Sequence, residues 1–282
     1  MAAITVDNVS FVYSPGTPFA VDALDKVSFE IESGKITGII GRTGSGKSTL
    51  VQMFNGLVKP TSGRILLDGK DIWEGGKKMQ GLNFKVGLVM QYPEYQLFEE
   101  TVRKDIAFGP ANMGLQQDEI DERVSFGVKF CNINDDILDK SPFDLSGGQK
   151  RRVAIAGVMA MKPDVLVLDE PAAGLDPIGR EEIFEGIRAF QRDTGTTVII
   201  VSHSMEDMAK YCDANVVLYG GKLFASGTRE EIFSMEDKLV EIGLSIPEIT
   251  ALVHILKDKG FPLEGEYYTV EEAAVAISEI LK

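Results

Sequence analysis

The 282-residue sequence is poor in cysteine, in positive charge and in long apolar runs. Its two cysteines, Cys131 and Cys212, are too few and too far apart for a disulfide framework or a zinc cluster. The plain expectation is a pair of thiols kept in a reducing cytosol. Lys and Arg number 29 against 43 Asp and Glu, giving a net charge of −14 and an isoelectric point near 4.7. A field of that sign repels phosphate backbones and anionic head groups, which argues against a nucleic-acid binder or a protein that coats lipid by charge. The apolar runs, Ile36–Ile40, Val165–Leu168, Val198–Val201 and Val216–Leu218, fall far short of the roughly 18 residues of a membrane span. The first residues, Met1–Asp7, lack the regions of a signal peptide. These absences predict a soluble intracellular protein. At 44% hydrophobic and 26% charged residues, collagen-like, coiled-coil and wholly disordered chains are excluded.

The apolar runs still organise the chain. Val27–Ile31 alternates with period two, as a half-buried antiparallel strand does. Ile36–Ile40, Val86–Met90, Val165–Leu168 and Val198–Val201 are continuous, as strands covered on both faces are, and helical stretches separate them. An α/β core with a parallel sheet follows. Val216–Tyr219, Gly220-Gly221 and Lys222–Ala225 read as a hairpin. Residues from about 92 to 144 hold no long apolar strand and predict a mostly helical insertion. Thr228-Arg229-Glu230-Glu231 and Thr269-Val270-Glu271-Glu272 are capping boxes, the second opening a helix over Ala273–Leu281. Ile249, Leu252, Val253 and Leu256 mark a helical stripe that Gly260 ends, with His254 set off it as a solvated residue. The expected division is 1–234 and a helical extension over 235–282, without internal repeats.

Three motifs carry chemistry. Gly41-Arg42-Thr43-Gly44-Ser45-Gly46-Lys47-Ser48 lies between a buried strand and a helix over Ser48–Leu57, the setting of a phosphate-binding loop. Its glycines let backbone N–H groups converge on phosphate oxygens at a helix N-terminus, with Lys47 on the β- and γ-phosphates and Ser48 on Mg²⁺. Asp169 and Glu170 end the Val165–Leu168 strand, where open α/β sheets bind ligands. Asp169 suits Mg²⁺, and Glu170 suits the role of general base for an attacking water. Leu145-Ser146-Gly147-Gly148-Gln149 opens a helix over Gln149–Met161 and offers a second anion-binding helix N-terminus. One nucleotide does not need two such sites from one chain. A head-to-tail dimer resolves this, each chain's second site covering the γ-phosphate held by its partner.

Leu145–Gln149 together with the phosphate loop resembles the ABC ATPases over about Ile4 to Ser234. The resemblance implies a P-loop NTPase (RecA-like) core with an antiparallel β subdomain, an inserted helical subdomain and a small C-terminal helical extension. It implies ATP with Mg²⁺ as cofactors, held by Gly41–Ser48 and the following Thr49. Gln91 would contact Mg²⁺ and sense the nucleotide. Ala173-Gly174-Leu175-Asp176 would communicate between paired sites, His203 would contact the γ-phosphate, and Tyr13, near Phe11 and Phe19, would stack on adenine.

Gln91-Tyr92-Pro93-Glu94-Tyr95-Gln96-Leu97-Phe98-Glu99-Glu100-Thr101-Val102, then Asp105–Pro110, is similar to the ATPases of energy-coupling factor transporters, which import vitamins and transition-metal ions into prokaryotic cells. Ser14–Pro18 and Asp169–Pro177 share this likeness, which is strongest to the second of that family's two ATPase subunits. It implies a peripheral protein at the cytoplasmic face of the membrane, paired with a second ATPase, with its C-terminal helices helping the pairing. A membrane T subunit would dock near Glu94, Leu97, Phe98 and Glu99, the two acids meeting its arginines, and the substrate-binding membrane subunit would be reached indirectly. Two other classes of ABC protein fit less well. Ribosome-acting factors carry two ATPase halves where one phosphate loop stands here. Chromosome-type ATPases need a long coiled coil, and no sustained heptads join Lys47 to Asp169. An ATPase of an importer that uses a soluble binding protein is the nearest alternative.

Overall fold

The computed structural model describes residues 1–280. Two sheets form the frame. The first, in the order β2–β1–β4–β5, joins β1 (Ala2–Tyr13), β2 (Val21–Glu32), β4 (Ser62–Leu67) and the short β5 (Lys70–Asp71), all antiparallel. The second has the order β10–β9–β3–β8–β7–β6. Its strands are β3 (Ile36–Ile40), β6 (Val86–Val89), β7 (Val165–Asp169), β8 (Thr197–Val201), β9 (Ala214–Tyr219) and β10 (Lys222–Thr228). Only the β9–β10 hairpin is antiparallel; the other pairings are parallel. Every residue of β3, β7 and β8 is buried, which is why these strands are apolar without alternation. Because β3, β6, β7 and β8 run in one direction, the residues just beyond their C-terminal ends gather on one edge of the sheet.

Helices cover the sheet. After the phosphate loop comes α1 (Lys47–Phe54), shorter at its end than the expected Ser48–Leu57. A one-turn α2 (Leu82–Lys85) precedes β6. Between β6 and β7 there is no strand: the chain forms a 3₁₀ turn at Pro93–Gln96, α3 (Val102–Asn112), α4 (Gln117–Phe130) and α5 (Gly147–Ala160). The helical layer extends beyond 144, since α5 packs its buried Val153, Ile155, Ala156 and Met159 into one core with Ile106 of α3 and Val124 of α4. In α6 (Pro177–Thr194) the apolar stripe Ile183, Phe184, Ile187 and Phe190 faces that core, and Gly195 ends the helix at φ +70°. The short α7 (Met205–Tyr211) follows β8.

Both capping boxes form, Thr228 with Glu231 and Thr269 with Glu272. The C-terminal helices are α8 (Arg229–Phe233), α9 (Glu236–Glu241), α10 (Glu248–Asp258) and α11 (Val270–Ile280). Leu281, expected to end the last helix, lies outside the described residues. Leu239, Ile242, Leu244 and Ile246 enter the main core, while Val253, Leu263 and Ala273 make a small one of their own. The α10 stripe differs from expectation: Leu252 is 46% exposed and Thr250 is buried, its hydroxyl donating to the Tyr267 carbonyl at 2.7 Å. His254 is not freely solvated either. Its Nδ1 lies 2.6 Å from Glu236 and its Nε2 2.7 Å from Glu266.

Candidate active site

The sheet edge holds a cleft of about 630 Å³ lined by the phosphate loop, Gln91, Asp169, Glu170 and His203. The loop's course depends on glycine. Gly46 sits at φ +97°, and a Cβ there would stand 2.5 Å from the Ala23 carbonyl oxygen. Lys47 Nζ donates to the carbonyls of Gly41 at 2.5 Å and Arg42 at 3.0 Å, so the ammonium lies folded within its own loop. Burial lowers its pKa, against the pull of Glu170 and Asp169. Arg42, Thr43, Gly44, Ser48 and Thr49 line the same cleft, whereas Ser45 is buried and its hydroxyl has no hydrogen-bond partner among the described residues.

Asp169 ends β7, and burial raises its pKa, partly offset by a hydrogen bond with the Ser48 hydroxyl. Glu170 leaves the strand at φ +52°, its N–H donating to the Val201 carbonyl at 2.9 Å. That turn brings its carboxylate 2.8 Å from His203 Nδ1 and 3.4 Å from the Ser202 hydroxyl. The His203 side chain is 79% exposed toward the cleft. The donors facing this side, a hydroxyl, a buried carboxylate and the Gln91 amide, suit a hard cation bound through oxygen. No His, Cys, Asp and Glu cluster of metal-binding type occurs among the described residues.

The second motif stands apart. Ser146 caps α5, accepting from the Gln149 N–H at 3.3 Å while the Gln149 side chain accepts from the Ser146 N–H at 3.0 Å. Ser146, Gly148, Gln149 and Asp176 line another cavity of about 350 Å³, with Leu145 buried. Gly147 opens the helix beside them. None of Leu145–Gln149, nor Asp176, lines the phosphate-loop cleft. Within one chain, then, the two helix N-termini expected to bind anions are separate. Tyr13 lies at the end of β1, its hydroxyl 2.9 Å from Thr49 Oγ1 and its ring edge-on to Phe11, while Phe19 is 81% exposed.

The residues expected to meet a membrane partner differ in their surroundings. Glu94 is paired within its own chain, where Arg151 of α5 grips its carboxylate with two bonds of 3.1 and 3.0 Å. Leu97 is a core residue. Glu99 is half-buried and its N–H donates to Asp105 at 3.0 Å; Phe98 is 56% exposed, edge-on to Phe108. Sequence reading also missed wall residues of the cleft, namely Met205 and the extension segment Gly243-Leu244-Ser245. Gly243 lies against the Arg42 side chain, a contact between distant segments that no local pattern signals.

These features match known proteins. The family model described as "ABC transporter" matches residues 24–173. The chain is 51% identical to an "Energy-coupling factor transporter ATP-binding protein EcfA2" of Clostridium acetobutylicum, covering 99% of this chain and 98% of that one. The protein of the same name in Clostridium perfringens is 49% identical, with 99% of each chain covered. Among solved structures, cbiO1 of Clostridium perfringens, described as part of the ABC transporter complex cbiONQ, superposes with a TM-score of 0.75 at 40% identity, covering 90% of this chain and 99% of its own. A dimeric post-hydrolysis structure of the ATP-binding cassette MJ0796, bound to ADP and Pi, gives a TM-score of 0.70 at 26% identity over 80% of this chain and 98% of that one. With a phosphate loop, a paired Asp-Glu strand end and a separate second helix cap on this fold, the chain belongs to the ABC transporter ATPases, among the ATP-binding proteins of energy-coupling factor transporters.

Proposed function

We propose that the chain binds and hydrolyses ATP to drive an importer of vitamins or transition-metal ions, working peripherally at the cytoplasmic face of a prokaryotic membrane. The observation that carries the reading is the convergence of Lys47, Ser48, Asp169, Glu170 and His203 on one cleft while Ser146 and Gly148 face another. The reaction needs cationic and N–H donors around phosphates and a base for water, and the cleft has both. Lys47 and the loop N–H groups hold the phosphates; Glu170, aligned by His203, takes the proton of the attacking water. Ser48, Asp169 and Gln91 fit Mg²⁺, which when bound neutralises phosphate charge. Tyr13, tethered to Thr49, is the candidate support for adenine.

The separate second cavity supports a head-to-tail dimer with another ATPase subunit, Leu145–Gln149 and Asp176 serving the partner's nucleotide. Exposed Leu252, Ile255, Val270 and Val275 on the extension support a share in that pairing. Attachment to the membrane through protein is favoured by the acidic charge of the chain, in which no helix among the described residues is long and apolar enough to cross a membrane. A groove of about 560 Å³ between the sheet edge and the helical layer, lined by Leu57, Phe84, Leu88, Leu97 and Phe108, suits an apolar helix of a membrane T subunit. Glu94, held by Arg151, and Glu99, whose N–H donates to Asp105 of the groove wall, remain the acids proposed to meet a basic partner, the substrate-binding membrane subunit being reached through that protein.

The deciding experiment is Glu170→Gln in the assembled complex. Turnover is expected to fall by on the order of 10²–10⁴-fold with ATP binding kept; full turnover would refute the reading.

A further inference from the structure

Arg151 is among the few charged side chains that are buried, with 4% of its side chain exposed. It lies in the second turn of α5 and joins three parts of the molecule. Two of its nitrogens hold the Glu94 carboxylate in a parallel fork at 3.1 and 3.0 Å. The third donates to the carbonyl of Ala173. Both ends of this bridge matter. Glu94 belongs to the 3₁₀ turn Pro93–Gln96, which follows Gln91 and runs into Leu97 and the apolar groove. Ala173 belongs to the loop that starts at Glu170, its own N–H donating to the Glu170 carbonyl at 3.2 Å. Among the described residues, Arg151 makes the one side-chain hydrogen bond to a backbone carbonyl of loop 170–176.

That loop has reason to need a brace. Glu170 is a non-glycine residue at φ +52°, a conformation that persists only where the surroundings hold it. Its N–H is tied to Val201 on the strand side, and Asp176 is tied into α6 by the Gly179 N–H at 2.7 Å. Arg151 supplies the tether between these two. A fork is stiff in a way that a single bond is not, because two parallel bonds fix angle as well as distance.

We infer that Arg151, clamped by Glu94, is a positioning residue for hydrolysis: it sets the loop that carries Glu170 and ties that loop to the wall of the apolar groove. The inference rests on Glu170 being the base. Movement of the Pro93–Gln96 turn is carried through the fork to Ala173 and from there to Glu170, three residues away. A lysine in place of Arg151 keeps the charge but loses the fork and its second reach; Glu94→Gln keeps the shape and loses the charge.

The test uses the full chain in the assembled transporter. Arg151→Lys and Glu94→Gln are each expected to lower kcat on the order of ten- to a hundredfold, since small misplacement of a reacting group has costs of that size. KM for ATP should stay within about twofold, because neither residue touches the nucleotide cleft. The double variant should be little worse than the more affected single one, as members of one bridge are coupled. Unchanged kcat in either folded variant overturns the inference. So does a fall in kcat that appears only together with lost nucleotide binding or a lowered thermal midpoint, which marks a structural role. If Arg151→Lys does not fold, Glu94→Gln decides alone. Glu170→Gln run alongside separates the two readings: retained turnover there refutes the base assignment, whereas unchanged kcat in Glu94→Gln refutes the clamp whatever Glu170 does.

Discussion

At the residue scale, the phosphate loop is held by geometry that a single carbon disturbs. A methyl group at Gly46 meets the Ala23 carbonyl oxygen at 2.5 Å and the Leu24 Cδ2 at 2.7 Å, on a backbone at φ +97°. The backbone strain alone costs about 1–3 kcal/mol, before the clash with β2 is relieved. Gly46→Ala is therefore expected to lower the thermal midpoint and to weaken ATP binding at least tenfold, as titration of a fluorescent nucleotide would read. Thiol chemistry behaves oppositely. Cys131 and Cys212 are buried; burial pushes the Cys131 thiol up to about 12 and that of Cys212 higher still. Neither forms thiolate near neutrality, so a maleimide at pH 7 should leave the folded protein unlabelled and label both thiols in denaturant. Labelling of the native chain would contradict the packing. The loop was legible because its residues are contiguous and its spacing has one use. Glu94 was not, because its exposed-looking acidic stretch says nothing of Arg151, which lies in another helix and reaches it only through the fold.

At the element scale, the C-terminal extension shows what periodicity reads and what it misses. The helix over Ile249–Leu256 was legible from its spacing, yet Leu252 faces outward and Thr250 inward. A buried hydroxyl is tolerated there because Tyr267 supplies its acceptor, and a carbonyl from a following loop leaves no trace in the stripe. The same holds for His254, clasped between Glu236 of α9 and Glu266, with Lys257 also 2.9 Å from Glu266. Burial works against the charge on His254, but hydrogen bonds and the charges of Glu266 and Glu236 outweigh it and raise its pKa. Burial likewise opposes ionisation of Glu266, and Lys257 and His254 more than reverse this, lowering its pKa. The two shifts bound a pH window. The raised histidine stabilises the folded extension fully below its unfolded value of about 6.5, and that contribution is lost as pH rises through the folded value. The lowered glutamate stabilises above its unfolded value and loses its contribution as pH falls through the folded one. Hydrogen exchange of α10 amides should accordingly quicken as pH climbs above about 6.5, after correction for intrinsic rates. His254→Gln should remove this pH dependence. An α10 whose corrected protection is flat with pH in the native chain would exclude the clasp.

At the scale of the whole molecule, the parallel strands decide what one chain has and what it lacks. They bring Gly41–Thr49, Gln91, Asp169, Glu170 and His203 to one edge, where all but the buried Ser45 line the cleft. The helical layer carries Ser146–Gln149 to a separate cavity, as the proposed head-to-tail pairing requires. The separation predicts a dissociation between binding and pairing. Ser146 stands exposed at the N-terminus of α5, its backbone already positioned by the reciprocal bonds with Gln149. An arginine there loses the Ser146 hydroxyl cap, at about 0.5–2 kcal/mol, which a chain of this size withstands. It also sets bulk and charge where, in the proposed head-to-tail dimer, a partner's γ-phosphate would approach. In a Glu170→Gln background, where bound ATP persists, Ser146→Arg should leave nucleotide affinity of the isolated chain within about twofold and abolish the ATP-dependent dimer. Sedimentation with and without ATP reads the second, and nucleotide titration at low protein concentration reads the first. A Ser146→Arg chain that loses ATP affinity as a monomer would mean that the motif serves its own cleft, and the head-to-tail arrangement would fall. One that still dimerises with ATP would mean that the pairing surface lies on the extension alone.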